Sequence, residues 1–166
     1  MGLLRLLLKP VSALASLLPL ARYVVEGPSM APTLLHGQLL LVARRAYRRY
    51  TPRRRDIVVL REPTPQALES VKRVVGLPGE TVRVERGRVS INGVALDEPY
   101  LLGLGGGGGE GEWRLGPDQF FVLGDNRARS IDGRAYGPVG RERLVGRTWF
   151  RYGRHTRWGL LRRSAP

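Results

Sequence analysis

Ser70-Val71-Lys72-Arg73-Val74-Val75, closed by Gly76-Leu77-Pro78-Gly79, reads as a β-strand running into a turn. Its alternation sends Val71 and Arg73 to one side and Ser70, Lys72 and Val74 to the other. The neighbouring stretches follow the same grammar. Asp56-Ile57-Val58-Val59-Leu60 is a buried strand, and Glu62-Pro63-Thr64-Pro65 is the loop between the two. Downstream, residues 81–84, 88–91 and 94–96 form a meander whose tightest turn is Asn92-Gly93, a strong hairpin signal. Strands are also expected at 38–43, at 120–123 and within 144–152, and no repeat of solenoid length is present. The expected class is therefore mainly β.

Composition narrows the chemistry. The 166 residues, 42% apolar, suit one domain with a real core, and zero cysteines exclude disulfides, zinc-thiolate sites and thiol nucleophiles. The net charge of +14 favours polyanionic surroundings, lipid or nucleic acid. Of the 28 basic residues only Lys9 and Lys72 are lysine. Arginine keeps its proton, whereas a desolvated ammonium can become a neutral base. Lys9 flanks an apolar segment; Lys72 sits inside a strand, where arginine would serve equally well unless the proton must leave.

Residues 1–25 are expected to be an uncleaved apolar N-terminal membrane-anchor helix, with Arg5 and Lys9 ahead of the run and Arg22 near its end. The uninterrupted run Val11–Ala21 falls short of the roughly 20 residues that a spanning helix needs, so a cleaved signal peptide and an interfacial helix compete with that reading. Residues 26–153 form the expected β domain, and 154–166 an Arg-rich tail without pattern. The arginines and tyrosines of 44–50 read as a solvated or lipid-facing basic loop in preference to a nucleic-acid surface. The glycine-rich 103–111 reads as a linker or hairpin tip, because no Gly-Lys-Ser/Thr follows it.

Glu26-Gly27-Pro28-Ser29-Met30-Ala31-Pro32-Thr33-Leu34 holds one serine between residues that restrict the backbone. An incidental Ser in a two-proline turn is the bland alternative. A nucleophilic serine needs a base, and the only histidines, His36 and His155, read as surface residues. Lys72 is the remaining candidate, provided that burial lowers its pKa from about 10.4 toward neutrality. No metal-binding pattern is present, and no cofactor is expected.

In order along the chain, Gly27–Leu34, Asp56–Val59, Val71–Glu80, Gly124–Arg127, Ser130–Arg134 and Tyr136-Gly137 resemble the motifs of type I signal peptidases. Asn92-Gly93 and Asp97-Glu98-Pro99-Tyr100-Leu101 are also similar. The resemblance implies an antiparallel β fold and a membrane-anchored serine endopeptidase that cleaves signal peptides from exported preproteins after small residues. The membrane would be the plasma membrane, with the β domain on its extracytoplasmic face and anionic lipid as a partner; no nucleic-acid partner is implied.

Carried over by position, Ser29 is the implied nucleophile and Lys72 the general base, working through an acyl-enzyme. Ser130 would orient the lysine nitrogen. Asp125 with Arg73, and Asp132 with Arg134, would be structural ion pairs. The Ser29 N–H would be one oxyanion donor, the second being unassigned because Gly27 stands where some members carry a serine. Met30, Val71 and Val122 are the candidates for the small-residue substrate pocket. Ser70 and Gly133 also depart from the common pattern of the family.

Overall fold

The computed structural model describes residues 20–101, 106–153 and 158–161. Twelve strands follow in chain order: β1 (Leu20–Val24), β2 (Leu39–Ala43), β3 (Ile57–Arg61), β4 (Glu69–Gly76), β5 (Thr81–Glu85), β6 (Arg88–Ile91), β7 (Val94–Ala95), β8 (Gly111–Arg114), β9 (Gln119–Leu123), β10 (Val139–Gly140), β11 (Leu144–Tyr152) and β12 (Gly159–Leu160). They form two antiparallel sheets. The larger runs β1-β2-β11-β3-β4-β9-β10 with β12 on β11, and the smaller runs β7-β6-β5-β8. Two single-turn α-helices, α1 (Ala46–Arg49) and α2 (Gly133–Tyr136), and three 3-10 turns at Pro99–Leu101, Arg127–Arg129 and Arg141–Arg143 complete the regular structure of the described residues.

The strand β4 sits at the centre of this plan. Its valines and those of β3 alternate, so pairing Val58 with Lys72 and Leu60 with Ser70 assigns each strand two different faces. One face joins Val58, Leu60, Val74, Phe120, Val122, Val139 and Leu144 in a buried cluster; the other places Ile57 and Val59 with Met30, Leu34, Leu40 and Val42. A third cluster, with Val75, Val82, Phe121 and Leu123, fills the junction with the small sheet. At that junction Gly76 is pressed against its neighbours: a Cβ there would lie 2.5 Å from Val82 Cγ2 and 2.9 Å from Phe121 Cβ. Asn92 and Gly93 both take positive φ, as a tight hairpin turn of primed type requires.

Several expectations are corrected. Leu20–Val24, assigned to the apolar anchor, is instead β1, paired along its length with β2. Alternation decides this: Leu20, Arg22 and Val24 face outward, while Tyr23 turns in and donates to Glu69 at 3.0 Å. Burial beside that carboxylate pushes the Tyr23 phenol up to about 12. The β domain accordingly begins before residue 26. Residues 1–19, with Lys9, lie outside the described residues, and among the described residues no helix is long and apolar enough to cross a membrane. Part of the supposedly patternless tail, Gly159–Leu160, pairs with β11; His155 lies outside the described residues. Tyr47, read as part of a basic loop, is buried on α1 and donates to Asp56 Oδ2 at 3.2 Å.

Candidate active site

The turn holding Ser29 is pinned from behind. Ser29 is partly buried, its carbonyl accepts from the Asn126 N–H at 3.0 Å, and the Ala31–Pro32 peptide is cis. The Thr33 hydroxyl accepts from Arg73 at 3.4 Å, and the Thr33 carbonyl accepts from Arg151. Gly27 takes φ +79°, and its N–H donates to His36 Nδ1 at 3.2 Å. Among the described residues no hydrogen-bond acceptor engages the Ser29 N–H.

Gly124 is the point on which the separate motifs converge. A Cβ there would lie 2.5 Å from the Ser29 carbonyl oxygen and 2.5 Å from Ser130 Cβ. The Gly124 N–H donates to Asp132 Oδ2 at 2.9 Å. Only a residue without a side chain lets the Ser29 turn and the 124–134 loop close this tightly.

The two ion pairs are two-pronged. Arg73 reaches Asp125 through Nε (2.8 Å) and Nη2 (2.6 Å), and both side chains are almost fully buried. Arg134 reaches Asp132 through Nε and Nη2, each at 2.9 Å, while Asp132 also accepts from the Arg134 backbone N–H to cap α2. Such planar pairing fixes orientation as well as charge. Of the glycine-rich stretch, residues 103–105 lie outside the described residues, while Gly107 and Gly108 pack against Arg134. Gly107 accepts from Arg134 Nη1 at 2.9 Å, and a Cβ on Gly108 would lie 2.6 Å from Arg134 Cζ. Gly133 is equally confined, with the Val122 carbonyl 2.8 Å from where a Cβ would stand, so a serine there would need the strand to shift.

Lys72 is 3% exposed, on the face shared with Val58, Leu60 and Val74. Burial pushes its ammonium below the ordinary lysine value, against the opposing pull of Glu62 and Asp132. Burial wins, because removing the ammonium from water costs more than a carboxylate at this distance returns. The partner of Lys72 differs from the one expected. Its Nζ lies 3.8 Å from Glu62 Oε1, whereas the Ser130 hydroxyl is buried and makes no hydrogen bond. In a site with little water, a carboxylate attracts an ammonium more strongly than a neutral hydroxyl does. Ser70 and Tyr136 hydroxyls are likewise buried without a partner.

The pocket assignments need correction too. Val122 is wholly buried and packs with Val58, Val74 and Phe120; Met30, beside the serine, is 1% exposed and points into the opposite core with Leu34 and Leu40. Neither offers surface to a ligand. Val71 is partly buried and remains at the margin.

Sequence reasoning missed a second network. Arg127, 1% exposed, donates to both carboxylate oxygens of Glu98 (3.1 and 2.5 Å) and to the Gly87 (2.6 Å) and Gly124 (3.1 Å) carbonyls. Tyr100 donates to Glu98 at 2.5 Å, and the Arg73 guanidinium stacks 3.8 Å over the Tyr100 ring. Glu98 and Tyr100 lie in a matched motif, yet nothing local gives their partners Arg127, 29 residues from Glu98, and Arg73 on β4. Glu62 had a weaker signal: alternation places 62, 60 and 58 on the same face as 70 and 72.

With this geometry in place, the comparisons agree with one another. The family profile for "Signal peptidase, peptidase S26" matches residues 3–153. A probable signal peptidase I-2 of Synechocystis sp. is 40% identical over 153 residues, covering 85% of this chain and 66% of that protein. A signal peptidase I of Bacillus caldolyticus is 39% identical over 155 residues, covering 86% of this chain and 84% of that protein. The crystal structure of a signal peptidase I from Enterococcus faecalis superposes with TM-score 0.52 at 32% identity, covering 59% of this chain and 97% of that one. The chain thus spans just under two thirds of the Synechocystis relative and most of the Bacillus one.

Proposed function

Since the chain belongs to the signal peptidase family, we propose that it is a serine endopeptidase that cleaves signal peptides from preproteins through a Ser29–Lys72 dyad. The observation that carries the dyad is Lys72 itself, a lysine 3% exposed on an apolar strand face in a chain that otherwise uses arginine almost throughout. Gly124 supports their proximity. It lies so near the Ser29 carbonyl that a Cβ would clash there, bonds to Asp132, and follows Leu123, which pairs with Arg73 next to Lys72.

In this mechanism neutral Lys72 takes the Ser29 proton as Oγ attacks the carbonyl carbon of the scissile bond. The tetrahedral oxyanion is met by the free Ser29 N–H, and collapse breaks the C–N bond. The Lys72 ammonium passes its proton to the departing amine, leaving an ester on Ser29. Water, deprotonated by Lys72, then hydrolyses that ester. Ser130, buried and unpartnered beside Gly124, supplies an acceptor for the lysine nitrogen when it turns from Glu62. The two ion pairs hold the loop and take no proton.

The substrate adds as a strand beside β4. On the β9 side β4 is laddered only from Arg73 onward, so Glu69–Lys72 has no strand partner there among the described residues. An extended peptide with small side chains fits such an edge, and it leaves the scissile carbonyl beside the dyad. Placement at the extracytoplasmic face of a membrane fits the exposed Leu20, Val24, Trp158 and Leu160 together with the +14 charge. The dyad is tested by Ser29→Ala and Lys72→Arg in a preprotein cleavage assay. Each variant is expected to fold and to lose cleavage; cleavage retained by Lys72→Arg would refute the dyad, because arginine cannot be the base.

A further inference from the structure

Glu62 stands where the dyad mechanism has no use for an acid. It leaves the end of β3 at the start of the 62–68 loop, anchored by its N–H to the Leu68 carbonyl (2.9 Å) and by its carbonyl to Arg143 Nη1 (3.4 Å). Its side chain turns inward to 3.8 Å from Lys72 Nζ, with 15% of it exposed against 4% of the lysine side chain. Two charges this close and this dry interact strongly. We propose that Glu62 is a positioning residue that holds Lys72 as an ammonium in the resting protein and thereby sets how alkaline the medium must be for cleavage. This inference rests on Lys72 being the base.

The other groups around the pair leave Glu62 as the controlling one. Asp132, from the loop after β9, also acts on Lys72, but Arg134 neutralises it with two hydrogen bonds. From α2 comes Tyr136, whose buried phenol is pushed well above its ordinary value by burial and then by Glu62 and Asp132; it stays neutral through the working range. Ser70 and Ser130 contribute uncharged hydroxyls. Arg143 meets Glu62 at the backbone carbonyl. Removing the Glu62 charge therefore lets burial act on Lys72 with less opposition.

The test uses the rarity of lysine. With only Lys9 and Lys72 in the chain, side-chain 13C-lysine labelling of the full-length protein gives two titration curves, and a Lys9→Arg variant assigns them. In Glu62→Gln, which keeps the shape of the side chain, the Lys72 midpoint is expected to fall by about one pH unit, and in Glu62→Asp to stay near wild type. The acidic limb of kcat/KM should move with the midpoint, giving about tenfold more activity per folded molecule below it. A midpoint unmoved in Glu62→Gln would overturn the inference. If Lys72→Arg cleaves normally, the dyad itself has failed, and the midpoint still reports separately whether Glu62 controls Lys72. A merely structural Glu62 would change the melting temperature and leave both titrations in place.

Discussion

Gly124→Ala is the substitution on which the site depends most directly. The added methyl would stand 2.5 Å from the Ser29 carbonyl oxygen and 2.5 Å from Ser130 Cβ, where ordinary contact begins near 3.4 Å. One of the two must retreat by roughly an ångström, and the side that moves carries either the nucleophile turn or the 124–134 loop. Overpacking of this kind costs about 1–3 kcal/mol of stability. Displacement of a reacting group by that distance costs on the order of 100-fold in rate. Gly76→Ala separates the two effects. Its Cβ meets Val82 Cγ2 at 2.5 Å and Phe121 Cβ at 2.9 Å, a comparable clash in the junction between sheets. Both variants should lose stability in urea titrations, but only Gly124→Ala should lose kcat per folded molecule, measured on a signal-peptide substrate well below either melting transition. Equal losses of kcat in the two, or an unimpaired Gly124→Ala, would refute the assignment of Gly124 as the junction of the site.

Asp125→Ala leaves the Arg73 guanidinium buried and uncompensated, and is expected to cost about 3–5 kcal/mol in urea unfolding; Glu85→Ala, at the exposed pair with Arg83, should cost under about 1 kcal/mol. Lys72→Met probes the buried ammonium through the pH dependence of stability. The native lysine value lies below its unfolded value of 10.5, so between the two the unfolded chain holds more protons and wild-type stability rises with pH. The stability advantage of Lys72→Met at neutral pH should therefore shrink as the pH approaches 10; a gap independent of pH between urea midpoints at pH 7 and 10 would contradict the burial of the charge.

What could be read from the residues follows from where the physics is local. Val58, Val59, Val71 and Val74 announce strands because alternation and β-branching are properties of consecutive residues. Lys72 stood out because the chain otherwise spends arginine. Phe120-Phe121-Val122-Leu123 gave no facing information, since the run is buried on both sides, Phe120 and Val122 in one cluster and Phe121 and Leu123 in another. Nothing in the run therefore distinguishes a Val122 that lines a pocket from the one found in the core. Met30 failed for a related reason: adjacency to Ser29 in sequence says nothing about direction in a turn. Leu20–Val24 looked like the end of an apolar helix because its composition was legible and its partner, β2, was not. The choice of Lys72 between Glu62 and Ser130 was settled by charge in a dry site, a balance that no motif encodes.

The buried Arg127 has a consequence for how far the molecule could be pared down. The small sheet carries none of the proposed catalytic groups, and by function alone residues 81–114 look dispensable. Yet Gly87 and Glu98, both within that span, supply three of the four hydrogen bonds that hold the Arg127 guanidinium, and the fourth is to Gly124. Excising the small sheet would strand a cation beside the very residue that joins the Ser29 turn to its supporting loop. The second sheet is thus a foundation of the first, and a minimal version of the protein has to keep both.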